Sequence, residues 1–119
     1  MQIAENPAKL AAKVREKVPA ALKAGRIVAT GTSEEKQPPG IICKHAYAVL
    51  AYDPKSDTLT LWNPHGNTYS PRGGKEPGLA SGYPTSRGIF ELPVEEFVRI
   101  FNGVTIETDR AAVSGRRSS

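Results

Sequence analysis

Two short stretches of this 119-residue chain hold side chains that could do chemistry together: Lys44-His45-Ala46-Tyr47-Ala48-Val49 and Leu61-Trp62-Asn63-Pro64-His65-Gly66. An imidazole beside a carboxamide forms a directed pair. The amide oxygen accepts from one ring N–H and fixes tautomer and orientation. The other ring nitrogen is then free to deprotonate a thiol. A neutral amide suits a thiolate–imidazolium pair, which needs an orienter more than it needs another negative charge. His45 and Asn63 are therefore the candidate catalytic residues, as general base and orienter.

A thiol partner is harder to find. The chain has one cysteine, Cys43, so it forms no internal disulfide, which fits a reducing, cytoplasmic setting. Cys43 precedes His45 by two positions in what reads as one strand, so both would point to one face. Their Cα atoms would lie about 6.5–7 Å apart with near-parallel side chains, a poor geometry for attack. Cys43 reads instead as a small buried apolar residue. A zinc site built from His45, His65 and Cys43 is a competing reading, but no fourth ligand presents itself.

The elements between and around these stretches must bring them together. Ile41 to Tyr52 reads as the longest strand. Asp53-Pro54-Lys55-Ser56-Asp57 is turn chemistry, and Thr58-Leu59-Thr60-Leu61-Trp62 alternates as a second strand. A hairpin centred on Lys55 sets residue 47 opposite 63 and 45 opposite 65. His45 and Asn63 then become diagonal neighbours about 7–8 Å apart at the backbone, closer if a bulge shifts the register. Taken singly, each has an ordinary explanation, a core histidine and an Asn-Pro turn starter. The hairpin is what makes them a pair.

Upstream, Leu10, Val14, Val18 and Leu22 recur every four residues over a helix from Pro7 to Ala24, capped by Asn6. Pro19 is expected to break or restart that helix, and Gly25 to end it. Residues 26–30 form a short strand, and a polar loop covers 32–40. After the hairpin, residues 63–87 form a long loop rich in glycine and proline, of a length that is usually functional or flexible. Residues 88–92 are a strand. Pro93 opens a short helix to Phe101 as its first residue, and residues 104–108 are a last strand. The class is α+β with a mostly antiparallel sheet. The expected organisation is a helical lead-in over 1–25, a β half-domain over 26–109 and a disordered basic tail over 110–119.

The charge balance of +4 belongs to the ends, since residues 27–109 hold seven basic and ten acidic residues. No aromatic residue is interleaved with the terminal basic residues to stack a base, which argues against nucleic-acid binding. The longest apolar run is far short of the ~20 residues that a membrane span needs. The first residues show no signal-peptide pattern.

Three strings in order, His45-Ala46-Tyr47-Ala48-Val49, Trp62-Asn63-Pro64-His65-Gly66, and Gly88-Ile89-Phe90-Glu91-Leu92 leading to Glu95-Glu96-Phe97, resemble the C-terminal half of a calpain-type cysteine peptidase core. Calpains carry H-A-Y-S-V, R-N-P-W-G and D-G-E-F-W-M before a D-F-containing helix, at similar spacing. Ala20-Ala21-Leu22-Lys23-Ala24-Gly25 resembles their helix-to-strand lead-in, so the resemblance covers residues 19–108. It implies a papain-like fold, proteolysis of a protein or peptide substrate, His45 as general base and acid, and Asn63 as its orienter. It also implies a Cys-containing half-domain, a thiol protease's other wall, that has no counterpart here.

Three positions depart from the pattern. His65 stands where calpains have a tryptophan over the His–Asn bond, and Trp62 is expected in the core. Lys44 stands where calpains have glycine. The acidic positions of the calcium-binding D-G-E segment read Arg87-Gly88-Ile89, so calcium is not carried over and no cofactor is expected. The alternative function is a non-catalytic half-domain that binds a protein partner through the loop at 67–88.

Overall fold

A computed structural model describes residues 6–107. The elements run α1 (Pro7–Lys23), β1 (Val28–Thr32), β2 (Ala46–Asp53), β3 (Thr58–Trp62), a 3-10 turn (Arg72–Gly74), β4 (Ile89–Pro93), α2 (Val94–Ile100) and β5 (Phe101–Ile106). The five strands form one sheet in the order β4-β3-β2-β1-β5, every neighbour antiparallel. The α+β class expected from the sequence is thus the class observed. The expected basic tail over 110–119 lies outside the described residues.

Both helices pack on one face of the sheet. Alternation along the strands turns Val28, Tyr47, Val49, Leu59, Leu61, Phe90 and Leu92 inward against Leu10, Val14 and Val18 of α1 and Val94, Phe97 and Ile100 of α2. Asn6 caps α1, its side-chain oxygen accepting from the Ala8 and Lys9 amides. The helix runs on through Pro19 instead of breaking there. Proline removes one intrahelical bond, but the buried Val18 and Ala21 on either side hold the segment to the sheet, and packing outweighs the local cost. Gly25, in the left-handed region, closes the helix. Its amide and that of Arg26 return to the carbonyls of Leu22 and Ala21, a paired C-terminal closure.

Other boundaries differ from expectation: β1 covers Val28–Thr32 where 26–30 was expected, and β5 begins at Phe101 where 104 was expected. β2 begins at Ala46, so Cys43 and His45 are not strand neighbours. Pro93 ends β4, paired with Thr58, and stands before α2 in extended backbone, not as its first helical residue.

The opposite face of the sheet carries no helix among the described residues. There Ala48, Trp62 and Ile89 lie side by side in register. A bulge between Val49 and Ala51 turns both Leu50 and Ala51 outward. Trp62 is 38% exposed, not a core residue as expected, because strand parity puts it opposite the buried Leu61.

Asp57 ties the hairpin turn to both helices. It sits at φ 55°, a backbone conformation that Asp and Asn tolerate. Its carbonyl accepts the Val94 amide at the start of α2 (2.9 Å). Its carboxylate takes a forked pair from Arg15 of α1, shortest at 2.7 Å, and the Tyr52 hydroxyl at 2.7 Å. The Arg15 guanidinium, helped by the Tyr52 hydroxyl, holds the Asp57 carboxyl below its ordinary range. Both side chains of the ion pair are about a third exposed (38% and 34%), so its contribution is about 0.5–1 kcal/mol.

Asp57→Asn keeps the backbone conformation and removes the charge. It should lower stability by about 0.5–1 kcal/mol at neutral pH in urea unfolding. The folded carboxyl titrates below the unfolded one, so the contribution is whole above pH ~4 and fades as the pH falls through the lower, folded value. The gap between the two proteins should therefore close on acidification.

Candidate functional site

The turn after β3 follows from its residue types. Asn63-Pro64-His65-Gly66 is a β-turn closed by the Gly66 amide on the Asn63 carbonyl (2.9 Å), with proline in its favoured second place. The Asn63 side chain folds over the same turn, and its Oδ1 accepts the backbone amide of His65 (2.9 Å). Asn63 is 0% exposed. Its own amide donates to the Gly88 carbonyl at 2.7 Å.

His45 reaches the same oxygen from the other strand. Its Nε2 lies 2.8 Å from Asn63 Oδ1. The expected diagonal pair is therefore in direct contact. A backbone N–H can only donate, so the group facing the His65 amide is the Asn63 oxygen. His45 Nε2 must then be the donor, and Nδ1 carries the lone pair. Among the described residues no hydrogen bond engages Nδ1. The ring leans edge-on against Tyr47 (centroids 5.2 Å apart) and His65 (4.9 Å).

Thr32, at the end of β1, holds the His45 backbone. Its amide donates to the His45 carbonyl (3.0 Å), and its hydroxyl accepts the His45 amide (3.0 Å) while donating to the Ile42 carbonyl (2.6 Å). The Ile42 amide in turn donates to the Tyr47 hydroxyl at 3.0 Å. Burial raises the Tyr47 phenol above its ordinary range, and that amide partly offsets the rise. Residues 41–45 thus curl back over Tyr47 instead of extending β2. Lys44 makes the reversal possible at φ 51°.

That reversal exposes Cys43, which the sequence reading had buried. No hydrogen bond joins it to His45 among the described residues. His45, His65 and Cys43 do not gather as a metal site either: among the described residues no group of three or more His, Cys, Asp or Glu side chains is placed to share an ion.

The long loop over 63–87 is built, not open. Tyr69 pairs with Thr85, Gly78 with Gly82, and Ser86 with Ile89. Tyr83 is buried, and its hydroxyl donates to the Glu96 carboxylate of α2 at 2.6 Å. Burial, then that carboxylate, push the phenol far above its ordinary range. The loop also presses on the segment before His45. The Tyr69 ring covers Gly40, and Gly82 approaches the Pro39 carbonyl so closely that a side chain there has no room.

Sequence reasoning named His45 and Asn63 but missed Thr32 and Asn67, which support them. Thr32 reads as an ordinary strand residue, and Asn67 as one more polar loop residue; neither spacing carries a signal. Comparison with known protein families and with curated proteins returned no match to this chain. No described helix is long and apolar enough to cross a membrane.

Gly88 (φ 83°) passes directly over Asn63. A methyl group there would meet the Asn63 carbonyl oxygen at 2.2 Å. Gly88→Ala should cost more than about 2 kcal/mol, from left-handed strain and displacement of the Asn63 turn together. Gly73 shares the left-handed backbone but has nothing within 4 Å of such a group. Gly73→Ala should cost only about 1 kcal/mol. Urea unfolding of both variants measures the difference, and only Gly88→Ala should also move the His45 ring resonances.

Proposed function

We propose that this chain is the histidine/asparagine half of a calpain-like, papain-fold cysteine peptidase, with His45 as base and acid and Asn63 as orienter. The observation that carries this reading is the 2.8 Å contact between His45 Nε2 and Asn63 Oδ1 across the hairpin. It leaves Nδ1 as the proton acceptor on the side not held by the amide.

Two of the departures from the calpain pattern are compatible with it in physical terms. Lys44 adopts the left-handed backbone that glycine takes most easily, at the position where the family has glycine. His65 sets an aromatic ring against His45 where the family has tryptophan. Gly88 keeps the family's glycine, and its contact with Asn63 gives that glycine a reason. Arg87 and Ile89 offer no side-chain oxygen, so the reading includes no calcium at that segment.

In the complete enzyme a cysteine from a companion half-domain gives its thiol proton to His45 Nδ1. The thiolate adds to the peptide carbonyl. The imidazolium returns the proton to the departing amine as the C–N bond breaks. Water, activated by the same nitrogen, then hydrolyses the thioester and restores the thiol. The exposed surface of Trp62, Ile89 and Leu50 gives such a half apolar area to cover.

A second reading is a protein-binding half-domain without catalysis. The exposed Leu79 in the structured loop at 67–88 favours it.

The test combines the chain with the polypeptide encoded in frame upstream of Met1 and assays casein cleavage and labelling by a thiol-directed epoxide. Cleavage should need both pieces, and His45→Ala should lower it by about 10²–10⁴-fold. A folded complex that neither cleaves nor labels would favour the binding module.

A further inference from the structure

We propose that Asn67 is a positioning residue for His45, acting through Asn63. As a role in catalysis this rests on the peptidase reading; as a statement about the His45 tautomer it does not.

Hydrogen bonds run head to tail through four residues. His45 Nε2–H donates to Asn63 Oδ1 at 2.8 Å. Asn63 Nδ2–H donates to Asn67 Oδ1 at 2.8 Å. Asn67 Nδ2–H donates to the Gly40 carbonyl at 3.2 Å. Each amide donates from its nitrogen and accepts at its oxygen, so each bond polarises the next in one direction. Asn63 is fully buried, and its amide nitrogen needs an acceptor that water does not supply. Asn67 is that acceptor.

Asn67 is itself fixed at both ends. Its backbone carbonyl accepts the Gly88 amide (2.7 Å), and the Gly88 carbonyl accepts the Asn63 amide (2.7 Å). Its side chain bonds to Gly40, the residue that the Tyr69 ring covers. Asn67 thus joins the loop after β3 to the segment that leads into His45. Both halves of the pair are referred to one side chain.

The test uses the chain as it is and reads the ring nitrogens of His45 by long-range ¹⁵N–¹H NMR at a pH where the imidazole is neutral. The wild type should show the Nε2–H tautomer alone. Asn67→Leu, which offers no acceptor, leaves the His65 amide alone to orient the Asn63 side chain and should give a mixture of tautomers. Asn67→Asp keeps an acceptor for Asn63 Nδ2–H but turns an oxygen on the Gly40 carbonyl, and should shift the mixture back toward the Nε2–H tautomer.

An unmixed tautomer in Asn67→Leu, or a mixture in Asn67→Asp no richer in the Nε2–H form than that of Asn67→Leu, overturns the proposal. Should Asn67→Leu not fold, the wild type decides: slow exchange of the Asn63 side-chain N–H protons supports the bond to Asn67, and exchange at the rate of an exposed amide overturns it. In the reconstituted peptidase, Asn67→Leu should lower kcat about tenfold with KM little changed. No nucleophile or substrate enters the NMR readout. A single tautomer that depends on Asn67 but no cleavage would sink the peptidase reading alone, whereas cleavage with an Asn67-independent tautomer would sink this one alone.

Discussion

The buried carboxamide of Asn63 is the constraint around which the site is arranged. A polar side chain removed from water costs about 1–3 kcal/mol for each group left without a partner. Asn63 brings an amide N–H, a carbonyl, a side-chain oxygen and a side-chain nitrogen, and each finds one: Gly88, Gly66, His45 with His65, and Asn67. Meeting those needs shapes the backbone nearby. Gly66 takes the left-handed region directly after the turn's central residues, and Gly88 must lack a side chain to pass over the carbonyl. Glycine at 88 is thus a consequence of one dry amide rather than a sign of looseness.

The same constraint reaches across the sheet. His45 can meet Asn63 only if its backbone stands still, and β2 does not hold it, since that strand starts one residue later. Thr32 does so from β1, with its amide and hydroxyl both on His45. Asn67 and the Gly40–Tyr69 contact hold the segment before it from the other side. At the far end of the hairpin Asp57 fastens the turn to α1 and α2, which keeps the register that brings the two strands' ends together. The pair is therefore fixed from three directions, while Nδ1 of His45 is left outside these bonds.

Much of this was legible from residue types and some was not. β3 matched its alternating stretch from Thr58 to Trp62, because alternation is local, and the register by the site matched that of a hairpin centred on Lys55. The bulge at Leu50 shifts the pairing only on the turn side. The start of β2 was misread because Ile41-Ile42-Cys43 continues an apolar run that looks extended. The reversal there comes from the Thr32 and Tyr47 hydroxyls, which are distant in sequence. Cys43 was buried in expectation for the same reason. Pro19 illustrates the opposite error, a strong local signal overruled by the packing of Val18 and Ala21. Local signals placed the His45–Asn63 pair; what holds the pair lies in long-range polar contacts that no spacing announces.

Why the orienter at 63 is an amide and not a carboxylate follows from these contacts. A carboxylate would accept from His45 and from the His65 amide equally well. It has no proton to donate, however, and its second oxygen would face the oxygen of Asn67 at hydrogen-bond distance. That leaves a buried negative charge beside a lone pair, unless Asn67 turned over and surrendered Gly40. The carboxamide alone accepts toward the histidine and donates away from it. Direction is built into the group: the oxygen fixes Nε2 as the donor, and so leaves the lone pair on Nδ1.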